Sequence, residues 1–247
     1  MHLNIFRDAL TPLQTVRPLS AGFLVFLMAL ASPAALAGPR ITELEQRWLT
    51  AGAPVLEHAR QAGLTIDIIV QPNVQLDVSP LSMAFINGRC KLVLTMRGNP
   101  MVEQHLEGVA EALHEAVIEA MVAHEVGHCW RHSQGSWRFL PAGFAAPQTT
   151  NSLPGGSSRL LRDADYKRRE EGFADLVALA WTHSRRPAQY RQVHAWLAGE
   201  RGDGSSGSAH DTAVWVQLAR DYAVFGAGNL FEQAQRPWEA GLLHAHD

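Results

Sequence analysis

The chain has 247 residues, 47% hydrophobic and 18% charged, with a formal net charge of −3. One hydrophobic core can serve a chain of this size, and so mild an acidity, with no unbroken Lys/Arg run, excludes a phosphate-gripping surface, so no nucleic-acid partner is expected. Arg159, Arg162, Lys167, Arg168 and Arg169 do cluster, but Asp163, Asp165, Glu170 and Glu171 interleave them, which predicts a solvated helix approach.

Residues 1–37 carry Arg7 and Arg17, then an apolar run over 21–31, then Ala35-Leu36-Ala37. This order predicts a signal peptide cut before Gly38, because about a dozen apolar residues are too few to span a bilayer core of ~30 Å. A retained anchor is the alternative, and only then is membrane association expected. Loss of the segment removes Arg7, Asp8 and Arg17, changing the net charge to −4. Residues 38–247 then form a single domain that is periplasmic or secreted.

Two amphipathic helices are predicted over 41–49 and 54–61, broken at Ala51-Gly52-Ala53, with Pro54 suited to a first helical position. Residues 64–71 are rich in β-branched side chains and predict a strand ended by Pro72-Asn73. Residues 84–96 supply one or two further strands with a turn at Asn87-Gly88, giving a small sheet. A long helix is predicted over 103–132 and another over 166–182. Between them a flexible insertion near 133–160 is either a flap over a cleft or a disordered insertion. Asp211-Thr212 look like the cap of a late helix beginning at Ala213.

The first of these long helices contains His124-Glu125-Val126-Gly127-His128. Positions four apart stack one turn above each other, so both imidazoles can reach one metal ion, with Glu125 beside them to handle a water. Histidine is abundant, at 12 residues, and random sequences of this composition would show the spacing in roughly 3 chains per hundred. Context decides: Leu113, Val117, Ala120 and Met121 form an apolar stripe that His124 and His128 continue, so both point inward. A buried neutral histidine satisfied by a carbonyl is the plain alternative for either one alone.

A catalytic zinc takes three protein ligands and leaves one position for water. Glu170-Glu171-Gly172-Phe173-Ala174-Asp175 opens an apolar run ending at Trp181, so Glu171 and Asp175 share a face of a buried helix. Glu171 is assigned to zinc and Asp175 to a ligand histidine's other N–H. Glu170 is the competing ligand. Carboxylates solvated near a helix start are the alternative.

The two motifs together resemble the H-E-x-x-H and E-x-x-A-D pair of the gluzincin metallopeptidases, in the branch of the CAAX prenyl protease, the HtpX-like quality-control proteases and their soluble periplasmic relatives. Ala84-Phe85-Ile86-Asn87-Gly88 with residues 91–95 is similar to that branch's N-A-F segment and cleft strand, and Ser208-Ala209-His210-Asp211 to its S-x-H-P segment. Met83 and Asp211 depart from that pattern. The likeness spans residues 64–220. It implies an α+β fold, a mainly helical zincin-like metallopeptidase domain with a small β-sheet beside the active-site helix. It also implies a zinc endopeptidase acting on misfolded or unassembled envelope polypeptides, with one Zn2+ per chain. Zinc held by His124, His128 and Glu171 would acidify a water, and Glu125 would take its proton. His210 is the candidate oxyanion donor by resemblance, with Tyr166 and His183 behind it; its other reading is a residue that merely precedes the Asp211-Thr212 cap. The strand at 91–95 could pair with an extended peptide. A non-proteolytic zinc-binding envelope chaperone or binding factor would keep the same ligands; metal buffering is weaker, since the other histidines are scattered.

Cys90 and Cys129 are the only thiols. An oxidising compartment allows them to pair, closing a loop of about 40 residues and stabilising by ~3–4 kcal/mol. Free buried cysteines are the alternative.

Overall fold

A capping box starts the first helix, α1 (Glu43–Gln61): the Glu45 amide donates to Thr42 Oγ1 at 3.2 Å and the Thr42 amide to Glu45 Oε2 at 2.7 Å. The computed structural model describes residues 40–74, 78–134, 155–202 and 211–244. The expected signal segment, most of the expected insertion, and His210 lie outside the described residues.

The predicted pair of N-terminal helices is a single helix. Pro54 lies inside α1, and no break occurs at 51–53, because Ala51, Gly52, Val55 and Leu56 all belong to one buried face. Packing of that face outweighs the backbone bond that proline removes.

Three strands follow: β1 (Ile66–Val70), β2 (Leu81–Ile86) and β3 (Arg89–Leu94), in the spatial order β1-β3-β2. β2 and β3 form an antiparallel hairpin whose turn residues Asn87 and Gly88 have φ of 53° and 74°, the left-handed pair that a two-residue type I′ turn requires. β1 pairs with β3 in parallel. Alternation puts Cys90, Leu92 and Leu94 on the covered face, where all three are buried.

The helix expected over 103–132 is two elements: α2 (Met101–Gln104) and α3 (Glu111–Gln134). Gly108, at φ 73°, turns the chain between them in a conformation that other residues rarely adopt. The second metal-motif helix, α4 (Gly155–Arg185), is longer than the predicted 166–182. α5 (Tyr190–Gly202), α6 (Ala213–Leu218) and α7 (Leu230–His244) complete a mainly helical α+β unit. Trp48, Tyr190, Trp215 and Trp238 are its largest buried anchors. No described helix is long and apolar enough to cross a membrane.

Arg169 corrects the reading of the Arg/Asp cluster as wholly solvated. It is 3% exposed, pairs with Asp165 at 2.7 Å, and burial pushes its guanidinium below its usual range.

α3 and α4 make the packing that matters for the site. A methyl group on Gly127 would lie 3.0 Å from the Ala174 Cα, so these two helices approach at their motif residues more closely than most side chains would allow.

Candidate metal centre

α3 places His124 and His128 one turn apart, with ring nitrogens Nε2 3.1 Å from each other. α4 brings Glu171 to the same point: Oε2 lies 3.3 Å from His124 Nε2 and Oε1 3.7 Å from His128 Nε2. Among the described residues, these three side chains form a group able to hold a metal ion.

The outer nitrogens determine what the inner ones present. His124 Nδ1 lies 2.9 Å from Asp175 Oδ1, and His128 Nδ1 lies 3.0 Å from Glu170 Oε1. An ionised carboxylate can only accept, so each Nδ1 carries a proton and donates it. In the neutral rings, both Nε2 lone pairs then face each other and the Glu171 carboxylate, an arrangement that repels unless a cation sits among them. Two nitrogens about 2.0 Å from one zinc at a tetrahedral angle would be about 3.3 Å apart, so the observed spacing fits such an ion.

The charges agree with that fit. Burial alone would lower the His124 pKa, but hydrogen bonds to Asp175 and Glu171 outweigh it and carry the ring to about 10. Burial likewise opposes the rise at His128, where the hydrogen bond to Glu170 and the charges of Glu125 and Glu171 together outweigh it. Burial pushes the Glu125 carboxyl up, partly offset by the two histidines.

Both carboxylates behind the histidines are themselves anchored. Asp175 is fully buried and accepts from Arg201 Nη2 at 2.7 Å, from Arg201 Nε at 2.8 Å and from the Thr212 hydroxyl at 2.5 Å. Burial would raise its pKa, yet Arg201 and His124 hold it far below the carboxylate range. Glu170 lies 3.2 Å from His132 Nε2 as well; burial is again outweighed by the two histidines, and its pKa falls to about 2. Glu170 therefore supports His128 from behind. Its other reading, as a competing ligand, is corrected: its oxygen meets Nδ1, away from the shared point.

His124, Glu125, His128, Glu170 and Glu171 line a cleft of about 880 Å³. The strand expected to receive a peptide requires correction. β3 is the middle strand, with both edges already bonded, whereas β2 has one strand neighbour among the described residues and supplies Leu81, Ser82 and Met83 to the cleft. His183 is corrected as a donor: it stacks on Tyr222 at 4.5 Å, three helical turns along α4 from Glu171. Tyr166 is half-buried on α4 and is not among the described lining residues.

Cys90 and Cys129 are disulfide-bonded, with Cα atoms 5.7 Å apart. The bridge ties β3 to α3 at the residue after His128.

Arg201 and Thr212 belong to the site and were missed in the sequence. No local pattern marks them, since they lie 26 and 37 residues beyond Asp175. His132 had a findable signal, the continued spacing of His124, His128 and His132 along α3.

Comparison of the chain with protein-family models, with curated proteins and with solved structures returns no match.

Proposed function

We propose that this chain is a zinc-dependent endopeptidase of gluzincin type, exported from the cytoplasm and acting on polypeptides such as misfolded or unassembled envelope proteins. The observation that carries the reading is the convergence of His124 Nε2, His128 Nε2 and the Glu171 carboxylate on one point, inside a cleft that Glu125 also lines. A site that only needed to hold a structural ion would fill its fourth position and would not require a carboxylate beside it.

His124, His128 and Glu171 would hold the zinc. When bound, zinc supplies Lewis acidity toward a carbonyl oxygen and toward water. Glu125 accepts a proton as water oxygen bonds to the peptide carbonyl carbon, then delivers it to the amine nitrogen as the C–N bond breaks. Asp175 and Glu170 hold the two rings in the tautomer that keeps Nε2 free. An extended peptide lies along the outer edge of β2, held by backbone hydrogen bonds that demand little sequence.

Purified protein tested for zinc content and casein cleavage, beside Glu125→Gln, decides the matter. The expected result is zinc at one per chain in both proteins and cleavage in the wild type only, lower by at least a hundredfold in the variant. Zinc retained by a wild type that cleaves nothing across a broad peptide library would transfer the reading to a binding factor.

A further inference from the structure

Another cavity, of about 920 Å³, lies between α5 and the chain that follows α6. At about 100° per residue, Arg191, His194 and Ala195 fall on one side of α5, and Trp196, Leu197 and Glu200, which line the cleft of the metal group, on the other. Arg191 borders this cavity from the first turn of α5, and Arg220 from just beyond the end of α6. Among the described residues, neither guanidinium has a hydrogen-bond or ion-pair partner, whereas Arg89, Arg97, Arg186 and Arg201 each meet a carboxylate. His194, Gln217 and Tyr222 make the rest of the wall largely polar. One carboxylate, Asp221, also lines it, and its Oδ1 accepts from the Ala223 amide at 3.0 Å. Two cations therefore stand against one anion.

The spacing of the two arginines is fixed by their neighbours. The Tyr190 hydroxyl donates to the Ala219 carbonyl, and both residues are buried. Arg191 and Arg220 are the residues immediately after these two. One turn along α5, His194 Nε2 lies 2.8 Å from the Val216 carbonyl, which can only accept, so that nitrogen donates. The two bonds fasten α5 to α6, and an anion meets both guanidiniums without first ordering the backbone that carries them.

A guanidinium takes phosphate oxygens through two parallel N–H bonds. The double charge of a phosphate monoester matches two such groups, where a carboxylate matches one. The cavity is far larger than a bare phosphate. Beside it the Tyr222 ring, 49% exposed and stacked on His183 at 4.5 Å, offers a held, flat surface to whatever body carries the phosphate. The sequence has no unbroken basic run and hence no track for a polyanion. Two arginines 29 residues apart, brought together by folding, suffice for one phosphate group.

We infer that this cavity binds a phosphate monoester, with Arg191 and Arg220 on its oxygens and Tyr222 against the group that bears it. The site uses none of the metal residues and does not depend on the peptidase reading.

Calorimetric titration of the purified protein with inorganic phosphate, phenyl phosphate and acetate tests this. Co-sedimentation with phosphatidylcholine vesicles, with and without phosphatidic acid, forms the lipid arm. Each measurement is made with zinc and with a chelator, which tells this site from phosphate bound at the metal. The expected result is phosphate binding that chelation leaves unchanged, with phenyl phosphate the tighter ligand. Acetate should bind about tenfold or more weakly, and Arg191→Gln or Arg220→Gln should each weaken phosphate by a similar factor. Both arginines are exposed, so these variants should melt with the wild type. Tyr222→Ala should remove the advantage of phenyl phosphate and leave inorganic phosphate unchanged. Binding of soluble phosphates alone would uphold the site and make its ligand a soluble ester. Binding of phosphatidic acid vesicles alone, lost in both arginine variants, would uphold it and make the ligand a lipid headgroup. No binding in either arm, binding lost on chelation, acetate as tight as phosphate, or phosphate binding retained in both arginine variants would each overturn it.

Discussion

Asp175 is a buried anion whose charge is answered by three groups from three different places in the chain: His124, Arg201 and Thr212. Removing one partner of a buried ion pair leaves the other unpaired, which costs about 3–5 kcal/mol, more than the pair itself contributes. Arg201→Ala should therefore lose stability on that scale in chemical denaturation. It should also weaken zinc by about 10- to 100-fold in a chelator competition, because Asp175 would no longer be fixed behind His124. Arg201→Lys should recover part of the stability and less of the zinc affinity, since one ammonium cannot reproduce the two-pronged contact. Unchanged zinc affinity in Arg201→Ala would show that His124 needs no such support. These partners also show what sequence can reveal. The two histidines of the candidate metal group were legible because four-residue spacing on one helix is a local signal, and Asp175 because it shares a helix face with Glu171. Arg201 and Thr212 were not, because only the tertiary fold brings them to Asp175; Thr212 looked like a helix cap, and its hydroxyl goes to Asp175 instead, with no capping bond.

A second residue-scale consequence lies away from the metal. Glu45 is fully buried beside Arg97, whose Nε donates to it at 2.8 Å, and that hydrogen bond carries its pKa below 4.5 against the opposing effect of burial. A carboxyl depressed on folding contributes stability that is fully present above its unfolded pKa and is lost as pH falls through its lower folded value. Acid unfolding followed by circular dichroism should thus be shallower below pH ~4.5 in Glu45→Gln than in the wild type. Parallel acid limbs would mean that the Arg97 pairing does not survive in solution.

At the scale of elements, the close approach of α3 and α4 is set by Gly127 facing Ala174. Gly127→Ala should raise helix propensity yet lower stability by about 1–3 kcal/mol, because the added methyl meets backbone that cannot rotate away. The same displacement moves Glu171 relative to the histidines, so zinc affinity should fall with stability, as thermal melts with and without zinc would report. A stabilised variant would show that the helices have slack. Element existence was legible here and continuity was not. The β2–β3 turn followed from Asn87-Gly88, which specifies backbone geometry locally. By contrast, Pro54 suggested a helix start and lies inside α1, because a continuous buried face outweighs one missing bond. The break between α2 and α3 depends on Gly108 adopting positive φ, a choice that the surrounding helix-forming residues conceal.

At the scale of the whole molecule, the three-stranded sheet and the helical body are joined covalently next to the candidate metal group, by the Cys90–Cys129 bridge. Sequence left this pairing open, since two cysteines 39 residues apart carry no information on distance until the hairpin and α3 are packed. Both cysteines are buried, so the bridge acts as structure and is shielded from solvent reductants in the folded state. In the chain-entropy account, a loop of this length contributes ~3–4 kcal/mol by restricting the unfolded chain, whereas a metal bound at a hundred times its dissociation constant adds about 2.7 kcal/mol by binding only the folded one. These act on opposite sides of the unfolding equilibrium and should add if the bridge does no more than shorten the unfolded chain. Urea unfolding of the wild type and of Cys90→Ala/Cys129→Ala, each with zinc and with a chelator, forms a cycle that tests this. Equal losses on chelation in both proteins would make the bridge a passive staple. A smaller loss in the double variant is the expected result, because Cys129 adjoins His128 and freeing α3 from β3 should loosen the geometry that the ion requires.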